Sequence, residues 1–171
     1  MCSLACHLTP NIEFLFWREG RELQDSIEVA LPETYARIPV APDGFFGLRD
    51  AKGRLYFFVE ADRGNMTVKR FTLKLMAYAA YSREKKHEEK FGIKKFRVLT
   101  VTSSAARQRN LVASAKAAEN LRDLERMFLF TSEQKLPLAR PTGHRGFLYS
   151  AFYISVDSRP CSAQTLAESP S

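Results

Sequence analysis

Cysteine is scarce in this sequence. Its 171 residues include three cysteines, Cys2, Cys6 and Cys161, an odd number that stands near the two ends without the paired spacing of a zinc site. This excludes a disulfide framework and favours a reducing compartment. The first six residues also lack the basic segment and the apolar run of a signal peptide, so we expect neither export nor a lipid anchor at Cys6.

Long hydrophobic runs and familiar catalytic motifs are missing as well. No stretch approaches the length of a transmembrane helix, so we expect a cytoplasmic protein with no membrane partner. The sequence has no glycine-rich phosphate loop, no nucleophile elbow and no His-Glu zinc motif. His7, His87 and His144 stand apart from one another and from any nucleophile pattern, and we assign them no role.

The composition is that of a globular protein with a basic surplus. Hydrophobic residues make up 45% of the chain and charged residues 26%, which predicts a packed core rather than disorder. The length fits one domain, which we place at residues 1–155, and the Ser-, Pro- and Ala-rich residues 156–171 are predicted to form a flexible tail. The net charge of +7 favours a polyanionic partner, because neutralising phosphates releases counterions.

Hydrophobic periodicity predicts an alternation of strands and helices. We expect an amphipathic helix at 11–25, a brief strand at 27–31, a hairpin of strands 44–48 and 54–61, a helix at 67–83, a strand at 96–102, a helix from about 105, a short helix at 120–125 and a strand at 127–131. The apolar run 147–154 fits a strand or a helix. A hairpin followed by a helical crossover predicts an α/β fold, a mixed sheet with flanking helices.

Two acidic residues are brought together by the predicted hairpin. Seven positions separate Asp43 from Asp50, and seven separate Gly53 from Glu60, so pairing around the turn places Asp43 beside Glu60. Asp62 lies on the same face of the strand as Glu60, because side chains alternate along a strand. Carboxylates that cluster in this way attract a divalent cation, which makes Asp43 and Glu60 candidate ligands of Mg²⁺.

Lys74 is a candidate for the positive charge that phosphodiester cleavage requires. It lies at the border of the apolar face of the helix predicted at 67–83, from where a long side chain reaches the strand ends. Each of these acidic residues and Lys74 also has a simpler, non-catalytic explanation. An Asp that follows Pro is commonly a turn residue, Glu60 and Asp62 fit solvated positions at a strand end, and a lone lysine is commonly a surface residue.

Several cations are candidates for binding nucleic acid. Arg107 and Arg109 open the helix after the strand 96–102, where a helix N-terminus can receive a phosphate, although simple capping by Ser103 or Ser104 explains this junction too. A charged run of mixed sign precedes Lys94 and Lys95, which could contact a DNA backbone. Arg63, directly after Asp62, completes the candidate set.

These residues resemble the plasmid replication-relaxation protein family. The resemblance is carried by Pro42-Asp43-Gly44, by Phe58-Val59-Glu60-Ala61-Asp62-Arg63-Gly64, by Lys74-Leu75 with Tyr78, and by Arg97-Val98-Leu99-Thr100-Val101-Thr102 with Arg107 and Asn110. It covers roughly residues 8–131. Trp17 and Glu19 fall where that family has a tryptophan-containing helix. The matching part resembles a C-terminal, PD-(D/E)xK nuclease-like domain, which implies a restriction-endonuclease-like core.

The resemblance implies a role with DNA and two ways of filling it. In the nuclease signature a lysine follows the strand glutamate by two residues, where this sequence has Asp62; some members of that fold place the lysine on the next helix, as Lys74 would be. One hypothesis is therefore a non-catalytic DNA-binding protein of plasmid or mobile-element replication and relaxation, with replication or mobilisation proteins as further partners. The alternative is a Mg²⁺-dependent endonuclease or nickase that uses Asp43, Glu60 and Lys74, assisted by Asp62. A purely structural interaction protein is the third.

Overall fold

A computed structural model describes residues 12–133 of the chain. The described residues lie inside the predicted domain 1–155. The end of that domain, the run 147–154 and the predicted tail 156–171 lie outside them.

The structure is a mixed α/β fold, as the sequence predicts. In chain order it forms β1 (Glu13–Arg18), β2 (Asp25–Leu31), β3 (Thr34–Val40), β4 (Gly44–Asp50), β5 (Gly53–Asp62), α1 (Val68–Arg83), α2 (Lys86–Phe91), β6 (Arg97–Thr102), α3 (Ala105–Ala117) and β7 (Phe128–Ser132). Two 3₁₀ segments, Arg21–Leu23 and Glu119–Met127, connect these elements, and the second replaces the short helix predicted at 120–125.

Five strands form one sheet in the order β1-β4-β5-β6-β7, and β2 and β3 form a separate antiparallel hairpin. The pairings β1–β4 and β4–β5 are antiparallel, whereas β5–β6 and β6–β7 are parallel. Because β5, β6 and β7 run in one direction, their carboxyl ends meet at one edge of the sheet and their amino ends at the opposite edge. Ligands of open α/β sheets commonly bind beside the carboxyl edge.

The hairpin β4–β5 has the predicted register. Asp50 pairs with Gly53, and the pairing continues to Gly44 opposite Val59. The Asp50 carboxylate accepts hydrogen bonds from the backbone N–H of Lys52 at 2.8 Å and of Gly53 at 2.9 Å, which closes the turn. Gly53 has a φ of 136°, a conformation that favours glycine.

The amphipathic helix predicted at residues 11–25 is wrong. The segment forms β1, a 3₁₀ turn and the start of β2, so Trp17 lies on a strand and not on a helix. A shift of register between Phe14 and Phe16 lets the aromatic rings of β1 pack on both faces of the sheet. The spacing that resembled a helix therefore arises from a bulged strand whose pairing with β4 overrides the local pattern.

Glycines in β4 make room for these rings. A Cβ added at Gly47 would lie 2.7 Å from the Phe16 ring, and one added at Gly44 would lie 2.5 Å from the Trp17 ring. The Trp17 ring stacks on Phe46 with a centroid distance of 6.1 Å. The close packing of β1 against β4 thus depends on the two glycines.

Helices α1 and α3 cover the face of the sheet that carries Phe58. Thr67 caps α1 by accepting a hydrogen bond from the Arg70 N–H, and the helix buries Phe71, Leu75 and Tyr78. A second apolar cluster occupies the opposite face and contains Phe46, Leu48, Phe57, Val59, Leu99 and Leu129. The packing of α1 on the Phe58 face brings its polar residues to the ends of the parallel strands.

Candidate functional site

The candidate site lies at the carboxyl ends of the parallel strands. Glu60 and Asp62 end β5, where Glu60 pairs in register with Thr100 of β6. Gly44 pairs with Val59 at the open end of the hairpin. One position further from the turn on each strand, Asp43 lies opposite Glu60. The Asp43 N–H donates to the Val59 carbonyl at 2.9 Å, and the Ala61 N–H donates to Asp43 Oδ2 at 2.8 Å. The structure therefore holds Asp43 beside the end of β5.

One open cavity of about 260 Å³ brings the candidate catalytic residues together. Its lining includes Asp43, Glu60, Asp62 and Lys74, which are the four residues singled out from the sequence, and also Arg63. Asp43 is exposed at this cavity, whereas Glu60 and Asp62 are buried. The grouping follows from the hairpin register together with the packing of α1 on the sheet.

Two side chains of α1 occupy both oxygens of the Glu60 carboxylate. Lys74 Nζ donates to Oε2, and the Tyr78 hydroxyl donates to Oε1. Lys74 and Tyr78 are four residues apart and are therefore neighbours on one face of the helix. Burial raises the pKa of Glu60, and the adjacent ammonium of Lys74 acts in the opposite direction. Burial and the neighbouring Glu60 also raise the pKa of Tyr78, so its hydroxyl remains a donor.

Asp62 is neutralised by a residue from α3. Arg107 forms a fork with it, with Nε donating to Oδ2 at 2.7 Å and Nη2 donating to Oδ1 at 3.1 Å. Arg107 Nη2 also donates to the Met66 carbonyl at 2.6 Å, and the hydrogen bonds to Asp62 raise the pKa of Arg107. The fork therefore ties the start of α3 to the loop between β5 and α1.

The strand-to-helix junction before Arg107 shows simple capping. Ser104 Oγ accepts a hydrogen bond from the Arg107 N–H at 3.2 Å, which satisfies one of the unpaired donors at the start of α3. Arg107 directs its guanidinium to Asp62, so it is engaged within the protein.

The buried carboxylates of the site are each paired with a cation of the protein. Within residues 12–133, no group of three or more His, Cys, Asp or Glu side chains is placed to hold a metal ion. Lys74 already supplies a positive charge to Glu60, and Arg107 supplies one to Asp62. Mg²⁺ bound by Asp43 and Glu60 would share the Glu60 carboxylate with the Lys74 ammonium and the Tyr78 hydroxyl.

The candidate nucleic-acid-binding residues do not form one patch. Arg63 and Arg109 are exposed near the carboxyl edge of the sheet, and Lys94 and Lys95 are exposed just before the amino end of β6. The six residues of β6 separate these two groups by about 20 Å, at the usual rise of a strand. A single nucleotide cannot contact both.

Tyr78 is a site residue whose polar contact the sequence reasoning missed. Its place in the apolar pattern of α1 predicts a core residue, and it is fully buried. The available signal was its spacing of four residues from Lys74, since both then face the same strand residue.

Comparisons with known proteins bear on both the fold and the family of the chain. No curated protein and no solved structure matches the chain. The prediction of a restriction-endonuclease-like core is therefore not supported by a similar solved structure. Within the described residues no helix is long and apolar enough to cross a membrane. The sequence model of the family described as replication-relaxation matches residues 1–95.

This match supports the predicted family, but it is shorter than the predicted resemblance and does not support the nuclease-like domain. It contains Asp43, Glu60, Lys74 and Tyr78 but ends before β6, whereas we expected it to extend to about residue 131. The matched part is the N-terminal part of the sequence, and it gives no support to a C-terminal PD-(D/E)xK nuclease-like domain. Since the match covers more than half of the 171 residues, the chain belongs to the replication-relaxation family.

Proposed function

We propose that this chain is a DNA-binding protein of plasmid or mobile-element replication, whose nuclease-like α/β domain holds DNA without cutting it. Membership of the replication-relaxation family supports the replication role. The net charge of +7 supports DNA as the partner. Replication or mobilisation proteins of the same element are the proposed protein partners.

The non-catalytic role is chosen because the buried carboxylates of the site already form ion pairs within the protein. Glu60 is bound by Lys74 and Tyr78, and Asp62 is bound by Arg107. A buried ion pair resists the removal of one partner, which typically costs 3–5 kcal/mol, because the remaining charge is left uncompensated. These residues are therefore well suited to holding α1 and α3 on the sheet.

The proposed DNA contacts are made by exposed cations. Arg63, Arg109, Lys94 and Lys95 are exposed, whereas Arg107 contributes by positioning the start of α3. Each phosphate contact made by such a cation releases counterions and adds to the salt dependence of binding. Replacing Lys94 and Lys95 together by Ala should flatten the slope of log affinity against log salt by up to about two.

Fluorescence anisotropy with a labelled plasmid fragment tests this proposal. We expect binding at low salt that weakens steeply as salt is added, and a flatter dependence for the Lys94→Ala, Lys95→Ala variant. Lys69→Ala with Lys116→Ala is a control of equal charge, because both lysines are exposed and lie on α1 and α3. A wild-type protein that fails to bind DNA at low salt contradicts the proposal.

A Mg²⁺-dependent endonuclease or nickase is the second candidate, and one observation favours it. Asp43, Glu60 and Lys74 line the same cavity at the carboxyl edge of the sheet. If this candidate holds, Asp43→Asn should lower metal affinity and cleavage together, whereas Lys74→Ala should slow cleavage with metal binding nearly intact. Purified protein that neither nicks plasmid with Mg²⁺ or Mn²⁺ nor gains thermal stability from either ion excludes it.

A further inference from the structure

A second cavity lies at the opposite edge of the sheet, beside the amino ends of the parallel strands. Its volume is about 410 Å³. Arg54 and Arg97 come from the starts of β5 and β6, Lys95 precedes β6, and Arg126 lies in the last turn of the 3₁₀ segment before β7. Four cations from three parts of the chain therefore line one cavity. We call it the basic cavity.

No acidic residue is among the described side chains that line the basic cavity. The contrast with the other edge of the sheet is clear, since Lys74 and Arg107 there are each paired with a carboxylate. Among the side chains that the structure describes, which do not include that of Glu125, none forms an ion pair with the four cations of the basic cavity. Like charges gathered in this way repel one another, and a bound anion relieves the repulsion.

The basic cavity also has an apolar wall. Leu55, Tyr56, Phe96, Leu124 and Met127 contribute to its lining. The Tyr56 ring is held in place by Phe16 and Phe45, each at a centroid distance of 6.3 Å. A site that combines cations with an aromatic ring suits a ligand with an anionic part and a flat apolar part.

We propose that the basic cavity binds an unpaired nucleotide of single-stranded DNA, with its phosphate on the arginines and its base against Tyr56 and the apolar wall. The inference rests on the proposed DNA-binding function and locates one contact of that function. Duplex DNA keeps its bases stacked inside the helix, so only an unpaired nucleotide can enter a concave site of this kind. Single strands are present wherever replication opens a duplex.

Anisotropy with a labelled oligo-dT of roughly 15 nucleotides, within the site size of a single-strand-binding module, tests the inference. The test variant carries Arg54→Gln, Arg97→Gln and Arg126→Gln. The control carries Arg21→Gln, Lys69→Gln and Lys116→Gln, which removes three charges from exposed positions outside the cavity. Circular dichroism of both variants checks that each is folded, and Tyr56→Leu tests the aromatic contact separately.

We expect wild-type protein to bind the oligonucleotide more tightly than the matching duplex. The triple arginine variant should lose about tenfold or more in affinity, with a salt slope flatter by about 0.7, since each neutralised phosphate of a single strand contributes roughly that much. The control should lose clearly less. Tyr56→Leu should weaken single-strand binding about fivefold or more while changing duplex binding little.

Each other outcome overturns the inference in a recognisable way. Equal losses in the triple variant and the control, with wild-type binding intact, place the contact elsewhere and leave the DNA-binding proposal standing. Equal losses for single strand and duplex mean that no unpaired base enters the cavity. Displacement of the oligonucleotide by inorganic phosphate, at the ionic strength of a chloride control that displaces none, identifies a free-phosphate site. Absence of wild-type binding removes both proposals together.

Discussion

Replacing Lys74 by methionine should destabilise the protein, because it leaves the buried Glu60 carboxylate without its cation. The Glu60 side chain is 5% exposed and that of Lys74 is 21% exposed. Methionine keeps most of the length and apolar surface of lysine, so the change removes the charge and few packing contacts. Tyr78 still donates one hydrogen bond to Glu60 in the variant.

The size of the loss follows from the burial of the pair. Removing one partner of a buried ion pair costs about 3–5 kcal/mol, and the partial exposure of Lys74 places this case near 3 kcal/mol at neutral to alkaline pH. A loss of 3 kcal/mol corresponds to a fall in Tm of about 6–12 °C for a chain of this size. That is a large fraction of the stability of an ordinary domain.

The loss should depend on pH in a defined direction. Burial already raises the pKa of Glu60, and removing Lys74 should raise that pKa further. A carboxyl whose folded-state pKa lies above its unfolded value binds more protons in the folded state, so stability rises as the pH falls through the raised pKa. The penalty of Lys74→Met should therefore shrink between about pH 8 and about pH 5, because a protonated Glu60 needs no cation.

Urea denaturation of wild type and variant at about pH 8 and about pH 5 measures both effects. Lys69→Met is the matched control, since Lys69 lies on the same helix and is exposed. It should change the free energy of unfolding by less than about 0.5 kcal/mol. A Lys74→Met variant that is as stable as the Lys69→Met control, or whose penalty is the same at both pH values, refutes the reasoning.

Two further predictions concern how the sheet and α3 are held. Arg107→Lys should lower the free energy of unfolding by about 2 kcal/mol, because lysine cannot form the fork to Asp62 and also reach the Met66 carbonyl. The control Arg109→Lys, on the exposed face of α3, should be near neutral in the same denaturation assay. Gly44→Ala should lower the free energy of unfolding by about 1–3 kcal/mol, since the added Cβ would lie 2.5 Å from the Trp17 ring. The same change should shift the fluorescence emission of Trp17, the one tryptophan of the chain. Unchanged emission and stability would show that this ring lies elsewhere.

The pairing of Asp43 with the end of β5 could be predicted because it needs only local information. A tight turn at Asp50 and Gly53 fixes the register of the two strands that flank it, and counting outward from the turn reaches Asp43 and Glu60. The helix α1 was predictable for a similar reason, since its apolar positions recur within one continuous segment.

The chain ahead of the hairpin was mispredicted because its structure depends on distant residues. Phe14, Phe16 and Trp17 have a spacing that fits one face of a helix, but a bulged strand distributes the same rings over both faces of the sheet. The partner that selects the strand is β4, whose Gly44 and Gly47 leave space for the rings. Neither glycine signals that role in the sequence.

The ion pair between Asp62 and Arg107 could not be predicted, for the same reason. Asp62 and Arg107 are 45 positions apart, and nothing in either segment indicates the other. The basic cavity is assembled from Arg54, the 95–97 segment and Arg126, which approach one another only because β5, β6 and β7 are parallel neighbours. Contacts of this kind become visible only once the sheet order is known.

One gel experiment tests the central claim, that this protein holds DNA and does not cut it. Supercoiled plasmid is incubated with wild-type protein and Mg²⁺ at low salt, and half of each sample is treated with protease before electrophoresis. We predict retarded DNA in the untreated half and unchanged supercoiled DNA in the treated half. Nicked or linear DNA after protease treatment, formed by wild type and not by Glu60→Gln, would contradict the account.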